Sequence, residues 1–393
     1  MSRALFLLLL SIIPLAITAQ KKQISEARTI LKSGRNVEKA EQLMTGLLKD
    51  STNRANKRIY QLWLQSVTKQ YEAANERLYL KQKQDTAAFF QLAKRMFYIA
   101  QTLDTIDAMP DRKGRIDPEY RENNAERLLA YRPNLFNGGT YFLRKGQYQL
   151  AFDFFEHYID CARLPLFSES HIDSAEQRMV EAAYWATYSG YRMQNPLLTL
   201  RHRQLALTDS TKAEFTLQYM AEARKWLKDD SLYMETLREG FRRFPNDAYF
   251  FPRLMDYYSL KGDHEKALQV VDSALMQCSV CDPYLYAKAT TLFNLKRYDE
   301  CIALSDSLIA RNDTLAEPYY NAGTAYLNKA LKLDPLKEKK QLRRLYQKAR
   351  PYMEHYRKLA PDQKEKWGPA LYRIYFNLNL GRQFDEIDRL LHK

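Results

Sequence analysis

The residues best suited to chemistry in this chain are its four cysteines and six histidines. Cys278 and Cys281 form the motif Cys-Ser-Val-Cys, whereas Cys161 and Cys301 each stand alone. A structural zinc site would need a second pair of ligands, and the sequence has neither a second Cys-x-x-Cys motif nor paired histidines. A thioredoxin-like redox motif would need a βαβ context. We therefore expect a local disulfide, or two thiols, in a turn between helices.

Other signatures of catalysis and cofactor binding are missing. The sequence has no Gly-x-Ser-x-Gly, no His-Glu-x-x-His, no phosphate-binding Gly-rich loop with lysine and no dinucleotide fingerprint. With only 12 glycines in 393 residues, the chain has few of the residues from which loops around an active site are usually built. Carboxylates are abundant, but on helices they mostly form solvated faces and i,i+4 pairs. The sequence therefore predicts a protein that is not an enzyme and holds no cofactor or metal.

The start of the chain, residues 1–19, has the pattern of an export signal. It begins Met-Ser-Arg, continues as an apolar run from Ala4 to Ile17, and ends at Ala19 before a polar residue. A secretory signal peptide has a basic start, about 7–15 apolar residues and a small residue at the cleavage site. The alternative is an uncleaved transmembrane anchor, which needs about 20 apolar residues. We expect cleavage after Ala19 and a periplasmic or secreted protein.

Two consequences follow from that expectation. No cysteine lies near the cleavage point, so no lipid anchor is expected there, and no other long apolar stretch predicts a transmembrane segment in the mature chain. An oxidising compartment also favours a disulfide in the Cys-Ser-Val-Cys motif.

Basic residues are concentrated in one stretch of a chain whose formal net charge is +14. This stretch covers residues 337–350 and includes Lys340, Arg343 and Arg344. A basic stripe can bind nucleic acid through its phosphates, but an exported protein meets lipid headgroups, lipopolysaccharide, acidic glycans and peptidoglycan carboxylates instead. The alternative is a solvated helix face. We expect no nucleic-acid partner and keep an anionic envelope component as a second class of partner.

The composition favours helix packed on helix. Apolar residues make up 46% of the chain and charged residues 27%, which excludes wholesale disorder. Only 12 glycines and 14 prolines occur beside 28 tyrosines and 18 phenylalanines. We expect most of these aromatic residues to lie in helix packing, and the four tryptophans to be mostly internal.

The sequence repeats with a period of 34 residues from about position 214 to 327. A small or mid-sized position recurs at equal intervals, at Ala221, Met255, Ala289 and Gly323. An apolar or aromatic position lies four residues before each of them, at Leu217, Phe251, Leu285 and Tyr319. Closely crossing helices need small residues where they touch and large residues around them. One helix pair cannot bury its own apolar face, so the pairs are predicted to stack.

This pattern resembles the tetratricopeptide repeat (TPR), a 34-residue helix–turn–helix unit. The best single match is Pro133–Asp160, with the motif residues Leu135, Gly139, Phe142, Gly146, Tyr148, Ala151 and Phe155 in register. The resemblance implies an all-α fold, an α-solenoid of stacked antiparallel helix pairs in a TPR-like superhelix. With the signal peptide, the chain resembles an exported TPR protein of a Gram-negative bacterium. We divide it into a signal peptide (1–19), an N-terminal helical region of degenerate repeats (20–130) and a TPR-like helical repeat array (131–393).

Several local expectations accompany this division. A first hairpin should turn near residues 34–36, long helices should cover about 53–80 and 85–103, and residues 109–118 should form an exposed loop. Tyr184, Tyr188 and Tyr191 indicate the first helix of another pair, with its turn at Asn195-Pro196 and its second helix at about 197–208. Between Gly323 and Ala349 the small positions are 26 residues apart instead of 12. Because the 14 extra residues equal about four helical turns, both helices of that pair are predicted to be lengthened.

The resemblance also implies where a partner binds. In TPR proteins the concave face carries first-helix residues, and the position before the Leu-Gly pair often holds Asn or Arg that grips a partner. Along the array that position holds Asn137, Ala186, Tyr219, Arg253, Ala287 and Asn321. The polar residues Asn137, Arg253 and Asn321 are therefore scattered among other types, and helix-surface polar residues without a partner are an equal alternative. With Lys340, Arg343 and Arg344, they form the candidate partner-binding residues.

The predicted function is a non-enzymatic exported scaffold that binds a protein or peptide partner along a helical groove. The alternative is an envelope glycan-binding module with helical repeats, which an exposed tryptophan or tyrosine platform would favour.

Overall fold

The computed structural model describes residues 20–173 and 176–392. The predicted signal peptide, residues 1–19, lies outside this range. Helices dominate the described residues, which contain no β-strand. Two compact units divide between Thr236 and Leu237. The predicted boundary near residue 130 concerned the regularity of the repeats and stays a prediction.

Helices of the first unit follow one another mostly with short connections, but the connections 108–120 and 161–176 are longer. In chain order they are α1 (described over 20–33), α2 (Val37–Leu47), α3 (Lys57–Tyr79), α4 (Thr86–Asp107), α5 (Arg121–Tyr131), α6 (Pro133–Arg144), α7 (Tyr148–Asp160), α8 (Gln177–Arg192), α9 (Pro196–Arg201), α10 (Arg203–Ala206) and α11 (Ala213–Trp226). Helix α12 (Asp230–Arg243) contains the division between the units.

The second unit continues in the same manner. Its helices are α13 (Phe250–Leu260), α14 (His264–Gln277), α15 (Asp282–Asn294), α16 (Tyr298–Arg311), α17 (Ala316–Ala330), α18 (Lys339–Leu359), α19 (Lys364–Leu378) and α20 (Gly381–Leu391). Consecutive helices from α13 to α20 pack on each other, as do α2 on α3, α3 on α4, α6 on α7 and α7 on α8. Short connections make such neighbours antiparallel. The fold is therefore all-α and built as an α-solenoid of stacked helix pairs.

One turn recurs between the two helices of successive pairs. Its central residue has a left-handed backbone at Gln194, Lys228, Gly262 and Lys296, with φ between 53° and 69°. Each of these residues is 34 positions from the next. In every case the following residue donates its amide to a carbonyl five positions back, as Arg297 N does to Leu292 O at 2.9 Å. This is the hydrogen-bond pattern of a Schellman turn, and we name the four the repeat turns.

The helix pairs cross closely where the sequence places small residues. Of the four predicted small or mid-sized positions, Ala221, Ala289 and Gly323 are buried and Met255 is half-buried. Gly190 of α8 shows the tightest backbone approach, because a Cβ there would lie 2.4 Å from the backbone nitrogen of Thr199 in α9. Such crossings allow the large aromatic residues beside them to fill the interior of the pair.

Side-chain caps mark several helix starts. The carboxylate of Asp85 accepts the amide of Ala88 at 3.0 Å at the start of α4. Asn195 accepts the amide of Leu198 at 3.2 Å, and Pro196 is the first residue of α9. These residues satisfy amides that have no partner inside the helix.

Most of the local predictions agree with the structure. The first hairpin turns at residues 34–36, α3 and α4 cover most of the two predicted long helices, and the loop at 109–118 is exposed. The second helix expected at 197–208 is broken at His202, which has non-helical dihedral angles and separates α9 from α10.

The predicted lengthening of both helices after residue 316 is wrong for the first of them. Helix α17 has 15 residues, close to its neighbours, whereas α18 has 21. The remaining extra residues form the connection 331–338. Pro335 lies within this connection, and proline disfavours helical continuation through itself and the residue before it.

Candidate interaction surface

Five aromatic residues lie together on helices α8 and α11 of the first unit. They are Trp185, Tyr188, Tyr191, Tyr219 and Trp226, and each is half-buried. Their spacing of three within α8 and seven within α11 places them on one face of each helix. Helix α8 contacts α11, so the two faces form one surface. We name these five residues the aromatic surface.

The rings of the aromatic surface contact each other in sequence. Tyr191 stacks on Tyr219 with centroids 4.6 Å apart and on Trp226 with centroids 5.7 Å apart. Tyr188 joins them to Trp185, at 5.6 Å from Tyr219 and 5.8 Å from the indole. Mutual ring contacts of this kind hold aromatic side chains in fixed orientations. The surface is therefore preorganised.

Two cations flank the aromatic surface. The Arg192 guanidinium lies 4.6 Å from the ring centroid of Tyr148 and donates to the Tyr188 hydroxyl at 2.6 Å. The Lys212 ammonium lies 5.2 Å from the ring centroid of Tyr184 and 5.9 Å from that of Trp185. These ring distances are within the range of a cation–π contact. Lys212 also pairs with Asp209 at 3.5 Å and with Glu181 at 4.0 Å, so its charge is compensated locally, whereas Arg192 has no ion pair among the described residues.

Burial raises the pKa of two phenols of this region, those of Tyr219 and Tyr184. Desolvation raises the pKa of Tyr219 well above its usual value, and a hydrogen bond with Tyr184 raises it further. Desolvation also raises the pKa of Tyr184. Both phenols are therefore protonated around neutral pH, and the region presents apolar rings and hydroxyl groups.

The three residues predicted from the TPR position have different surroundings. Asn137 is exposed on α6. Arg253 of α13 is half-buried, with its guanidinium 3.6 Å from the ring centroid of Tyr249. Asn321 of α17 is 5% exposed and donates its amide to the Thr290 hydroxyl at 3.1 Å. Their role in partner binding stays a prediction.

The three basic residues of the candidate set lie together. Lys340, Arg343 and Arg344 are exposed near the start of α18, at the spacing of one helix face. They form no ion pair with the residues that the structure describes.

The four cysteines form one disulfide and two buried free thiols. Cys278 and Cys281 form a disulfide between α14 and α15. Cys161 and Cys301 are free and buried. Over residues 20–173 and 176–392, no group of three or more His, Cys, Asp or Glu side chains is placed to hold a metal ion. In that same part of the chain, no helix has the length and apolar character needed to cross a membrane.

Sequence reasoning missed the aromatic surface. Tyr184, Tyr188 and Tyr191 indicate a first helix, and Tyr219 occupies the position equivalent to Asn137. The sequence predicts most aromatic residues in helix packing, and Trp185 and Tyr219 do pack against the core of the first unit, but it does not predict that their rings also reach the surface together. Among the tryptophans, Trp367 is buried, whereas Trp63, Trp185 and Trp226 are half-buried. The signal that could have found the surface is the combination of helical spacing in α8 with a second aromatic series in α11.

Comparisons with known proteins give structural matches alone. No protein-family model matches the chain, and no curated protein matches it. One matching structure is the C-terminal part of a TPR repeat-containing protein from Cytophaga hutchinsonii, at 14% identity and a TM-score of 0.44, covering 64% of this chain and 92% of that one. The P58(IPK) TPR domain matches at 11% identity and a TM-score of 0.26, covering 95% and 98%.

A third match is the TPR2AB domain of yeast Sti1 in complex with pHSP90. It is 14% identical with a TM-score of 0.27, covering 75% of this chain and 98% of that one. The class of this protein is defined by its own helices. Antiparallel pairs whose turns recur at one constant interval make it a TPR-like helical-repeat protein.

Proposed function

We propose that this protein is a non-enzymatic, exported scaffold that binds a protein or peptide partner. The observation that carries the proposal is the aromatic surface with its border of Arg192 and Lys212. Tryptophan, tyrosine and arginine are enriched among the residues that dominate the energy of protein interfaces. Here all three types lie on or beside one pair of contacting helices.

Preorganisation strengthens the proposal. Ordering flexible side chains on binding costs about 0.5–1.5 kcal/mol for each of them. Tyr191 is already held by Tyr219 and Trp226, and Tyr188 by Arg192. A partner that contacts these rings loses little of its binding energy to side-chain ordering. In this proposal Asn137 is a further contact on the first unit, and Arg253 is a further contact on the second.

The experiment is capture of partners from an envelope extract of the source organism, with the chain from Gln20 onward as bait. Variant Trp226→Leu and variant Tyr188→Leu remove rings from the aromatic surface but keep apolar volume. Tyr98→Leu is the matched control, because Tyr98 is 55% exposed on α4 of the same unit. We expect the same proteins to be enriched with the wild type and with Tyr98→Leu, and to be lost with the other two variants.

Two outcomes would contradict the proposal. One is that no protein is enriched over a bait-free control. The other is enrichment that Trp226→Leu and Tyr188→Leu leave unchanged while circular dichroism shows both variants folded. Direct titration with the identified partner then gives the change in Kd, and we expect a loss of about tenfold or more for each ring.

Export is a separate part of the proposal, supported by the sequence of residues 1–19. We expect the chain expressed from its full gene in a Gram-negative host to reach the periplasm or medium. Its first residue there should be Gln20, as N-terminal sequencing can establish. Retention in the cytoplasm with Met1 at the start would contradict export.

The second candidate function is binding of envelope glycans, favoured by the half-buried rings of Trp185 and Trp226. Sugars stack on free aromatic faces, however, and the rings of the aromatic surface already contact each other. This favours the protein or peptide partner. A change of tryptophan fluorescence on titration with glycan pools, abolished by Trp226→Leu, would instead support the glycan.

A further inference from the structure

A second surface lies on the second unit and is independent of the aromatic surface. It consists of four basic residues of α18, Lys340, Arg343, Arg344 and Lys348, which we name the basic stripe. All four are exposed, and they follow each other at intervals of one to four residues along the helix. Tyr346, Ala349 and Met353 of the same helix are buried. The stripe therefore lies on the face of α18 opposite to its packing face.

The charges of the basic stripe are not neutralised within the unit. None of its four residues forms an ion pair with a residue that the structure describes. The acidic residues of the preceding connection are Asp334 and Glu338, and both are engaged by backbone amides. Asp334 accepts the amides of Leu336 and Lys337, and Glu338 accepts that of Asp334. The Lys348 ammonium lies 5.8 Å from the ring centroid of Tyr326. The exposed charged groups of Lys340, Arg343 and Arg344 are left for an external anion.

Apolar side chains project from the same connection. Leu336 is 92% exposed and Leu331 is 55% exposed. The hydrogen bonds to Asp334 hold the backbone of Leu336 in a turn that immediately precedes α18. A fully exposed leucine next to unpaired cations has no function in the packing of the unit.

We propose that this face docks on an anionic lipid bilayer, with the basic stripe against the headgroups and Leu336 inserted at the acyl boundary. Exposed cations attract anionic lipids, and apolar side chains add affinity when they enter the interface. A soluble acidic polymer would bind the cations, but an exposed leucine would add nothing to its affinity. The combination therefore favours the bilayer over an acidic glycan.

Vesicle co-sedimentation tests the proposal with the chain from Gln20 onward, which lacks the apolar run 4–17 that would itself enter lipid. The probes are vesicles of phosphatidylglycerol and phosphatidylcholine, compared with phosphatidylcholine alone. We expect binding to the anionic vesicles only, weakening steeply as salt rises and screens the charges. Strong binding to phosphatidylcholine alone, or binding unaffected by salt, would overturn the proposal.

Substitutions then locate the contact. Each cation near an anionic bilayer contributes about fivefold in binding, so the triple variant Lys340→Gln, Arg343→Gln and Arg344→Gln should lose about a hundredfold. The matched control makes the same charge change at three exposed residues of the first unit: Lys22, Lys32 and Arg35. An equal loss in this control would assign binding to net charge and overturn the proposal.

Leucine variants distinguish binding to a bilayer from binding to an acidic polymer. Leu336→Ser should weaken vesicle binding about tenfold, because a leucine side chain that leaves water for the acyl region gains hydrophobic free energy. Leu260→Ser is the control, since Leu260 is 87% exposed elsewhere in the unit. Binding that is indifferent to Leu336, and equally strong to soluble polyglutamate, would reassign the surface to acidic polymers. These outcomes are independent of whether the aromatic surface binds a protein.

Discussion

Tyr191 of α8 stacks on Trp226 of α11, with ring centroids 5.7 Å apart and ring planes 15° from parallel. The same phenol ring stacks on Tyr219, seven residues earlier on α11. One side chain of α8 thus contacts two turns of α11. The aromatic surface is therefore both a candidate binding site and a connection between successive helix pairs.

A double-mutant cycle should detect this stack. We expect Tyr191→Leu and Trp226→Leu to be coupled by about 0.5–1.5 kcal/mol in the free energy of unfolding, the usual value for an aromatic pair. Urea denaturation followed by circular dichroism provides the measurement. Tyr191→Leu combined with Trp63→Leu, whose ring contacts Tyr60 instead, should be additive. Additive behaviour of the Tyr191 and Trp226 variants would show that the rings do not stabilise each other.

The repeat turns predict that two substitutions change the stability of the fold in opposite directions. Lys296 has φ of 62°, a left-handed conformation that costs a non-glycine residue roughly 1–2 kcal/mol. Lys296→Gly should therefore raise the urea midpoint, whereas Gly262→Ala should lower it. A Cβ at Gly262 would meet nothing within 4 Å, so backbone conformation alone is tested.

The control for the turn variants is a glycine placed in a helix. Gln347 is exposed in α18, and Gln347→Gly should destabilise by about 0.5–1 kcal/mol. A lower midpoint for both Lys296→Gly and Gln347→Gly would contradict the left-handed conformation at Lys296.

Thiol labelling should distinguish the four cysteines. Burial raises the pKa of the Cys161 thiol to about 12 and that of Cys301 to about 11. Because the thiolate is the reactive form, neither should react with a thiol reagent in the native protein at pH 8. Two thiols should react after denaturation and four after reduction and denaturation. Three or more fast thiols in the native protein would contradict both the burial and the disulfide.

Alkaline pH should destabilise the fold through buried tyrosines. Burial raises the pKa of Tyr71 and that of Tyr356 to about 12, compared with about 10 in the unfolded chain. Their stabilising contribution is complete below pH 10 and is lost as the pH rises towards 12, because the unfolded state then releases protons that the folded state retains. Urea midpoints should fall from pH 10 upward.

Tyr71→Phe provides the check on that pH dependence. The variant removes one titrating phenol, so the slope of the midpoint against pH should become smaller even if the midpoint itself changes. Ultraviolet difference absorbance measures tyrosinate directly. Complete tyrosine ionisation near pH 10 in the folded protein would contradict the buried phenols.

The fold was largely predictable, because helix crossings impose a residue size at regular intervals. Ala221, Ala289 and Gly323 are buried where the sequence period placed them. The repeat turns were not predictable from the same period, since the central position holds Gln194, Lys228 and Lys296 as well as glycine. These turns are closed by hydrogen bonds between backbone groups. Because the side chain of the central residue takes no part, the turns do not require one residue type at that position.

The candidate site was less predictable than the fold. Half-buried and buried aromatic residues have the same helical spacing, so Tyr188 and Tyr191 could not be separated from core residues such as Phe152. The exposure of a ring depends on the helix that packs beside it. By contrast, the exposure of Lys340, Arg343 and Arg344 was predictable from charge alone, because basic residues rarely lie in a core.

The repeat turns leave their central side chains in solvent, as at Gln194, Lys228 and Lys296. A replacement there changes stability by roughly 1–2 kcal/mol through backbone conformation, and it touches no side chain at the helix crossings. The turns therefore allow the stability of one helix pair to be tuned separately from the packing between its helices.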